Sequence, residues 1–282
     1  MSPAPTLDPT YRERAIPLGS ARYWSWLFAD AAARAPLLGI YALLAEWNAL
    51  IDPATEVTAG RIKLAWWQEE TRRLIAGMPA HPIGAYLLAL PRAREVDLTP
   101  LMSTIDAVIA EGNGAPLEHS SDLEPHAAAL RAAPLVLVSR LAAAGLGEDI
   151  PDEDSLQKCT RELAVGEFLA RSAREYRREA RAGRVPFAVD ELLAAGIENE
   201  DLCADQPPPR LESYLRDLRS RADTSYAGAS RALPPGRRAP LRHLLVSAAL
   251  GRKHLPLPSA ALESPRLQDM LLAWVTARRA HG

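Results

Sequence analysis

Apolar residues recur at three- and four-residue steps along most of the chain, and they seldom alternate with polar residues as they do in a strand. Between positions 37 and 51, one such face carries Leu37, Tyr41, Leu44, Asn48 and Ile51. This periodicity is typical of helices that turn one side toward a core. Because Ala, Leu, Arg and Glu are also abundant and favour helices, the pattern predicts an all-α fold.

Glycine and proline residues separate the helical stretches and give their approximate ends. The predicted helices cover residues 20–33, 35–51, 61–76, 82–89, 98–111, 123–144, 154–182, 190–195, 211–233, 239–250 and 264–280. The proline run at 207–209 is too short to separate two domains. We therefore predict a flexible tail at 1–16 and one helical bundle at 17–282, with a packed or hollow centre.

Composition narrows the class of protein further. A chain of 282 residues with 48% hydrophobic residues can bury one large core, and its net charge of −2 argues against nucleic-acid binding. Cys159 and Cys203 have no metal-ligand spacing, which favours a reducing, cytoplasmic setting. The start of the chain lacks an export signal, and no uninterrupted apolar run is long enough to span a bilayer, so membrane contact is expected to be peripheral at most.

Two parts of the sequence resemble squalene and phytoene synthases. Residues 41–52 and 60–70, followed by His81 and Pro82, are similar to the first half of that family. Residues 174–186 and 190–202 are similar to its second motif and the loop after it. The resemblance implies a helical bundle around an apolar cavity, in which two aspartate-rich motifs on facing helices hold Mg²⁺. The implied reaction joins two prenyl diphosphates head to head.

The aspartates that the resemblance leads one to expect are largely replaced. The leading positions of the first motif carry Asn48 and Ala49, and its last acid is Asp52; the second motif carries Glu175 and Glu179. These three acids are the candidate Mg²⁺ ligands, in keeping with the oxygen ligands that this ion prefers.

Other positions depart from the family as well. An expected arginine is Ala45, and an expected glutamine and asparagine are Phe168 and Arg171. The pattern is similar to a degenerate branch that includes the respiratory complex I assembly factor, which shares a glutamate at the position of Glu46. That branch assists the assembly of a complex.

The candidate ligand-binding residues are Tyr41, Asn48, Arg171 and Arg174. Asn48 and Asp52 are expected on one inward helical face, either as a relic diphosphate or metal site or as a hydrogen-bonded helix end. Glu175 and Glu179 share a helix with a crowd of arginines. That helix is either a solvated, ion-paired surface or an anion site in which arginines replace the metal.

The aromatic and acidic side chains of the third predicted helix are expected to have structural roles. Trp66 and Trp67 are adjacent, so at most one belongs to the core, and Glu69 and Glu70 are expected on the surface. His81, which precedes a proline, is expected to start a helix.

Two functions remain open from the sequence. One is a Mg²⁺-dependent transferase acting on two prenyl diphosphates. The other is a scaffold or assembly protein of the same fold, which binds an isoprenoid or a protein partner and transfers little or nothing.

Overall fold

The computed structural model describes residues 6–146, 152–262 and 264–280. These residues form helices and no strand, apart from one isolated bridge between Leu117 and Ala188, so the predicted all-α class is confirmed. The α-helices are α1 Pro9–Ala15, α2 Ala21–Leu27, α3 Ala31–Leu50, α4 Val57–Ile75, α5 Pro82–Leu88, α6 Pro100–Gly112, α7 Leu123–Ala127, α8 Ala133–Leu146, α9 Glu153–Arg181, α10 Val189–Ala194, α11 Asn199–Cys203, α12 Pro209–Ala232, α13 Arg242–His254 and α14 Leu267–Arg279.

Side-chain caps set helix starts that the sequence pattern placed differently. The Asp30 carboxylate accepts a hydrogen bond from the backbone N–H of Ala32 at 3.0 Å, so α3 begins at Ala31 and includes Pro36. Glu56 accepts from the N–H groups of Thr58 and Ala59, and α4 therefore begins at Val57, ahead of the predicted 61. Such caps satisfy N–H groups that have no partner inside the helix.

The predicted tail contains a helix. Asp8 caps α1 through the N–H of Thr10 at 2.8 Å, and Pro9 occupies the first helical turn, where its missing N–H is harmless. Ala15 and Ile16 are buried. Arg14 pairs with Glu46 on α3 at 2.6 Å, so α1 is fastened to the bundle; residues 1–5 lie outside the described part.

Helix α3 is the central helix of the core. Every residue from Leu37 to Leu44 is buried, and Trp47 is fully enclosed. The Trp47 and Trp67 rings meet edge to face with centroids 6.2 Å apart, which places α4 beside α3. Trp67 is buried while Trp66 is 43% exposed, so one tryptophan of the pair belongs to the core.

The surface assignment of Glu70 is wrong. Its side chain is buried and accepts hydrogen bonds from the backbone N–H groups of Ala80 and His81 and from Nε of Arg73. This carboxylate fixes the turn that leads into α5. The ring of His81 then caps α5 by accepting from the N–H of Ile83, which confirms the predicted helix start.

Helices α7 and α8 are joined without a break by a π-helical segment, Ala128–Ala132. Pro134 follows it and has no N–H to donate to the carbonyl of Leu130, which favours a local change of hydrogen-bond register. The Thr104 hydroxyl on α6 donates to the carbonyl of Ala129 at 2.8 Å. Residues 120–143 are long and apolar enough to cross a membrane, but 61% of the apolar 18-residue window within that stretch is buried inside the protein, as in a core helix.

His243 on α13 is an ionisable side chain inside the core. It is fully buried, and neither ring nitrogen has a hydrogen-bond partner among the described residues. Burial, reinforced by the charge of Arg242, lowers the pKa of His243 to about 3 from an ordinary 6.5.

We predict that acidification destabilises the protein through His243. Below about pH 6.5 the unfolded chain takes up a proton that the folded chain refuses until about pH 3, so stability falls over that range. At pH 5.5 this group removes about 1.4 kcal/mol relative to neutral pH. Urea unfolding at pH 7.5 and 5.5 should show the loss in the native protein and a smaller loss in His243→Leu. Equal losses in both proteins would contradict the prediction.

Candidate functional site

Two adjoining cavities lie at the centre of the bundle. The first has a volume of about 240 Å³ and lies between α3, α6 and α9. The second has a volume of about 320 Å³ and lies between α3, α9, α12 and α13. Both are lined by Arg22, Arg131, Phe168 and Arg171, which therefore form the wall between them.

The structure divides the sequence-predicted residues between these cavities. Asn48, Asp52, Glu175 and Glu179 line the first cavity. The second is lined by Tyr41 and Arg174, and Arg171 reaches both. The two motif regions of the sequence thus meet across one space.

Arg178 lies among the three candidate metal ligands. Its guanidinium is 3.1 Å from the carboxylate of Asp52, 3.3 Å from that of Glu175 and 3.9 Å from that of Glu179. Arg184 binds Glu179 from the other side at 2.6 Å. Each candidate carboxylate therefore already has an arginine as its counter-ion.

This arrangement fits a bound Mg²⁺ poorly. The ion needs near-octahedral oxygen ligands at about 2.0–2.1 Å, and a guanidinium placed among the carboxylates competes for them. No group of three or more His, Cys, Asp or Glu side chains in the described ranges is positioned to hold a metal. Mg²⁺ binding by Asp52, Glu175 and Glu179 stays a prediction of the sequence.

The prediction that Asn48 and Asp52 share one helical face is wrong, because Asp52 lies beyond the end of α3. Helix α3 ends at Leu50. Pro53 follows Asp52, and helical geometry is disfavoured for a residue that precedes a proline, so the helix does not continue to Asp52. The Asp52 carboxylate accepts from the N–H of Ala54 at 2.9 Å while its other oxygen meets Arg178. The Asn48 amide donates to the carbonyl of Leu44. Both residues thus make the hydrogen bonds of a helix end, and both also line the cavity.

The arginines of α9 divide into an inner and an outer set. Arg171 binds Glu111, and Arg174 donates to the carbonyls of Leu257 and His254 at 3.2 and 3.3 Å. Arg178 and Arg181 have more than half of their side chains exposed. The solvated, ion-paired surface therefore describes Arg181, whereas Arg171 and Arg174 face the cavities; Arg178 is half exposed and also lines the first cavity.

Several charged residues of the site were not among the candidates identified from the sequence. Glu111 on α6 contacts both Arg171 and His126. Burial raises its pKa, but these two partners outweigh burial and hold the pKa of Glu111 at about 2. The carboxylate is therefore ionised, and it neutralises Arg171.

Arg131 is a mostly buried charge of the site with an unused donor. It lies in the π-helical segment, and its side chain is 16% exposed. Nη1 is buried without a partner, and Nε is 3.8 Å from Glu167, beyond hydrogen-bond distance. Burial, together with the charge of Arg22, lowers the pKa of Arg131 to about 10. The sequence did contain a sign of this residue, because Arg131 interrupts the mostly apolar stretch 127–138.

Comparison with known sequences gives a family match. The sequence model of the squalene/phytoene synthase family matches residues 18–257. The chloroplastic phytoene synthase of Narcissus pseudonarcissus is 21% identical over 212 residues, which cover 74% of this chain and 49% of that protein. The chain thus spans about half the length of the curated relative that it matches.

Solved structures of related synthases are also similar to this chain. A dehydrosqualene synthase in complex with a ligand matches with a TM-score of 0.71 and 14% identity, over 95% of each chain. Squalene synthase HpnC from Alicyclobacillus acidocaldarius matches with a TM-score of 0.67 and 18% identity, over 91% of this chain and 95% of that one. At such identities the likeness shows a shared all-α isoprenoid synthase fold.

We predict that Arg178 competes with cations for the carboxylates. Arg178→Ala removes a positive charge about 4 Å from the site and leaves Asp52 and Glu175 without a counter-ion, so Mg²⁺ should bind about tenfold more tightly or better. Calorimetric titration with MgCl₂ measures the change. Arg177→Ala is the matched control, because Arg177 donates to Tyr176 and to the carbonyl of Asp205. Equal Mg²⁺ affinity in the two variants would disprove the competition.

Proposed function

Because the chain belongs to the squalene/phytoene synthase family, we propose that it has kept the family's fold and acts by binding, with weak or no prenyl transfer. The proposed ligand class is an isoprenoid or its diphosphate, and a protein partner in an assembly or scaffold role is compatible with the same fold. The motifs on which transfer depends are, in this proposal, degraded.

The position of Arg178 among Asp52, Glu175 and Glu179 carries the proposal. Head-to-head transfer requires a diphosphate to leave, and divalent cations held by carboxylates neutralise the charge that develops. A single guanidinium supplies one fixed positive charge and cannot open a coordination position for a phosphate oxygen. An arrangement of this kind does not supply the divalent charge that the departure of a diphosphate requires.

The cavities support the same conclusion. Their volumes of about 240 and 320 Å³ lie at or near the lower end of the roughly 300–1,000 Å³ that drug-sized ligands occupy. Three arginines stand in the wall between them. Placing two long apolar chains against charged groups would strip those groups of solvent without giving them partners, which is unfavourable.

The alternative is an active Mg²⁺-dependent transferase. One observation favours it: Asp52, Glu175 and Glu179 still line the same cavity. Arg178 is also 52% exposed, so a ligand could displace it toward solvent. The two functions differ in what happens to a prenyl diphosphate after it binds, and product analysis separates them.

The expectations about cellular location and partners also form part of the proposal. We place the protein in the cytoplasm, with at most peripheral membrane contact and without nucleic acid as a partner. The shared glutamate of the assembly-factor branch, Glu46, pairs here with Arg14 and fastens α1 to α3. That contact is structural, and it leaves the surface of α1 available to a protein partner.

We predict that purified protein with Mg²⁺ and farnesyl or geranylgeranyl diphosphate forms no head-to-head product at enzyme-like rates, which are about one per second or more. An active family enzyme assayed in parallel shows that the conditions permit transfer. Product extraction and chromatography over hours would detect even slow turnover. Formation of squalene- or phytoene-type products at the rate of the active enzyme would restore the transferase.

A further inference from the structure

We propose that Arg22, Arg131 and Arg171, in the wall between the two cavities, form a metal-independent binding site for a phosphate or diphosphate group. We call these three residues the arginine wall. The site goes beyond the proposed function, because it requires neither an isoprenoid chain nor Mg²⁺.

The three residues come from distant parts of the chain and converge on one place. Arg22 lies on α2, Arg131 on the π-helical segment and Arg171 on α9, and each lines both cavities. Three guanidinium groups from three packed elements form a preorganised group of donors. Such a group binds an oxyanion without first having to be assembled.

Much of their hydrogen-bonding capacity is unused. Within the described part of the chain, Arg22 makes no hydrogen bond or ion pair; its guanidinium lies 5.4 Å from the centre of the Tyr41 ring. Nη1 of Arg131 is buried and has no partner. The buried hydroxyl of Ser172, which lines the first cavity, also lacks one. Buried donors without acceptors are unfavourable, and a bound anion would supply the acceptors.

The charges around the arginine wall balance, so an anion would be held by open donors and not by an excess of positive charge. Glu111 and Glu167 are the carboxylates nearest to the three guanidinium groups. Glu111 binds Arg171, while Glu167 stays 3.8 Å from Arg131. The other carboxylates of the first cavity are held by Arg178 and Arg184. The arginine wall is therefore where an anion would find open donors.

The π-helical segment is the second sign of a site. Such segments are rare and often occur where a helix carries a functional residue. Here the segment bears Arg131, in a stretch whose neighbours Leu130 and Ala132 are buried in the core. An apolar residue would pack there without leaving a buried charge, so an arginine with an open donor indicates a ligand.

Guanidinium groups bind phosphate oxygens in pairs, with a geometry that matches two parallel N–H donors. The volumes on either side of the wall leave room for a phosphate or diphosphate group and a carbon part of limited size. The ligand is thus a free phosphate or diphosphate, or a phosphate ester whose headgroup reaches the wall. All three share the chemistry that the site recognises.

The test is calorimetric titration of the full-length protein with inorganic phosphate, inorganic diphosphate and a non-hydrolysable farnesyl diphosphate analogue, each with and without EDTA. We expect at least one probe to bind, and EDTA to leave its affinity unchanged. The probe that binds best distinguishes a free anion from a headgroup. Arg131→Met should weaken binding about tenfold or more, because it removes a charge-assisted donor pair.

Arg181→Met is the matched control, since Arg181 lies on the outer face of α9 with 63% of its side chain exposed and should bind like the native protein. Thermal melting gives an independent measurement. Without ligand, the melting temperatures of Arg131→Met and of the native protein are the reference values, because the substitution also removes the ion pair of Arg131 with Glu167 at 3.8 Å. With ligand, Arg131→Met should lose the rise in melting temperature that the native protein shows.

Three results would overturn the site: no binding of any probe by the native protein, binding that EDTA abolishes, or Arg131→Met binding as tightly as Arg181→Met. If Arg131→Met does not fold, Arg22→Met takes its place, because Arg22 has no hydrogen bond to lose. Prenyl transfer in the separate turnover assay would contradict the proposed function and leave the result of these titrations standing.

Discussion

The pairing of charges inside the helical bundle is the constraint on which this site depends. An ionised side chain removed from water is tolerated only when a counter-charge and hydrogen bonds replace its hydration. Arg171 meets this condition for the mostly buried Glu111, and Arg178 pairs with Asp52 and Glu175 at the more exposed end of the cavity. The positions of α3, α6 and α9 around the first cavity are therefore coupled. A shift of α9 would leave both Glu111 on α6 and Asp52 after α3 without their partners.

Fold and site differ in how far the sequence predicts them. The helical class followed from residue spacing, because helical periodicity is local and repeated. The start of α1 at Pro9 depended on the cap from Asp8, and the end of α3 at Leu50 on Pro53. These are short signals, and a periodicity averaged over a window does not register them. The predicted bounds failed mainly at such places.

The arginine wall could not be predicted in the same way. Residues 22, 131 and 171 are far apart in the sequence, and only tertiary packing brings them to one wall. In the apolar stretch around it, Arg131 looks like an interruption of a core helix, and the π-helical segment that directs it inward follows from a proline three residues later. The family resemblance drew attention to the aspartate positions instead. One of the arginines of the wall, Arg171, lies at a position where that resemblance leads one to expect an asparagine.

The exchange of a metal ion for a guanidinium changes what the bundle can do with an anion. A divalent cation is mobile, carries two charges and exchanges water for phosphate oxygens, so it follows a leaving group as its charge develops. An arginine such as Arg178 carries one charge on a covalent tether, and its donors already bind protein carboxylates. It stabilises the resting arrangement of the helices at the expense of the ion that would activate a ligand. A bundle built with such fixed charges is suited to recognising and retaining a phosphate group, because recognition requires complementarity to the bound state, whereas catalysis requires extra stabilisation of a state that forms only in passing.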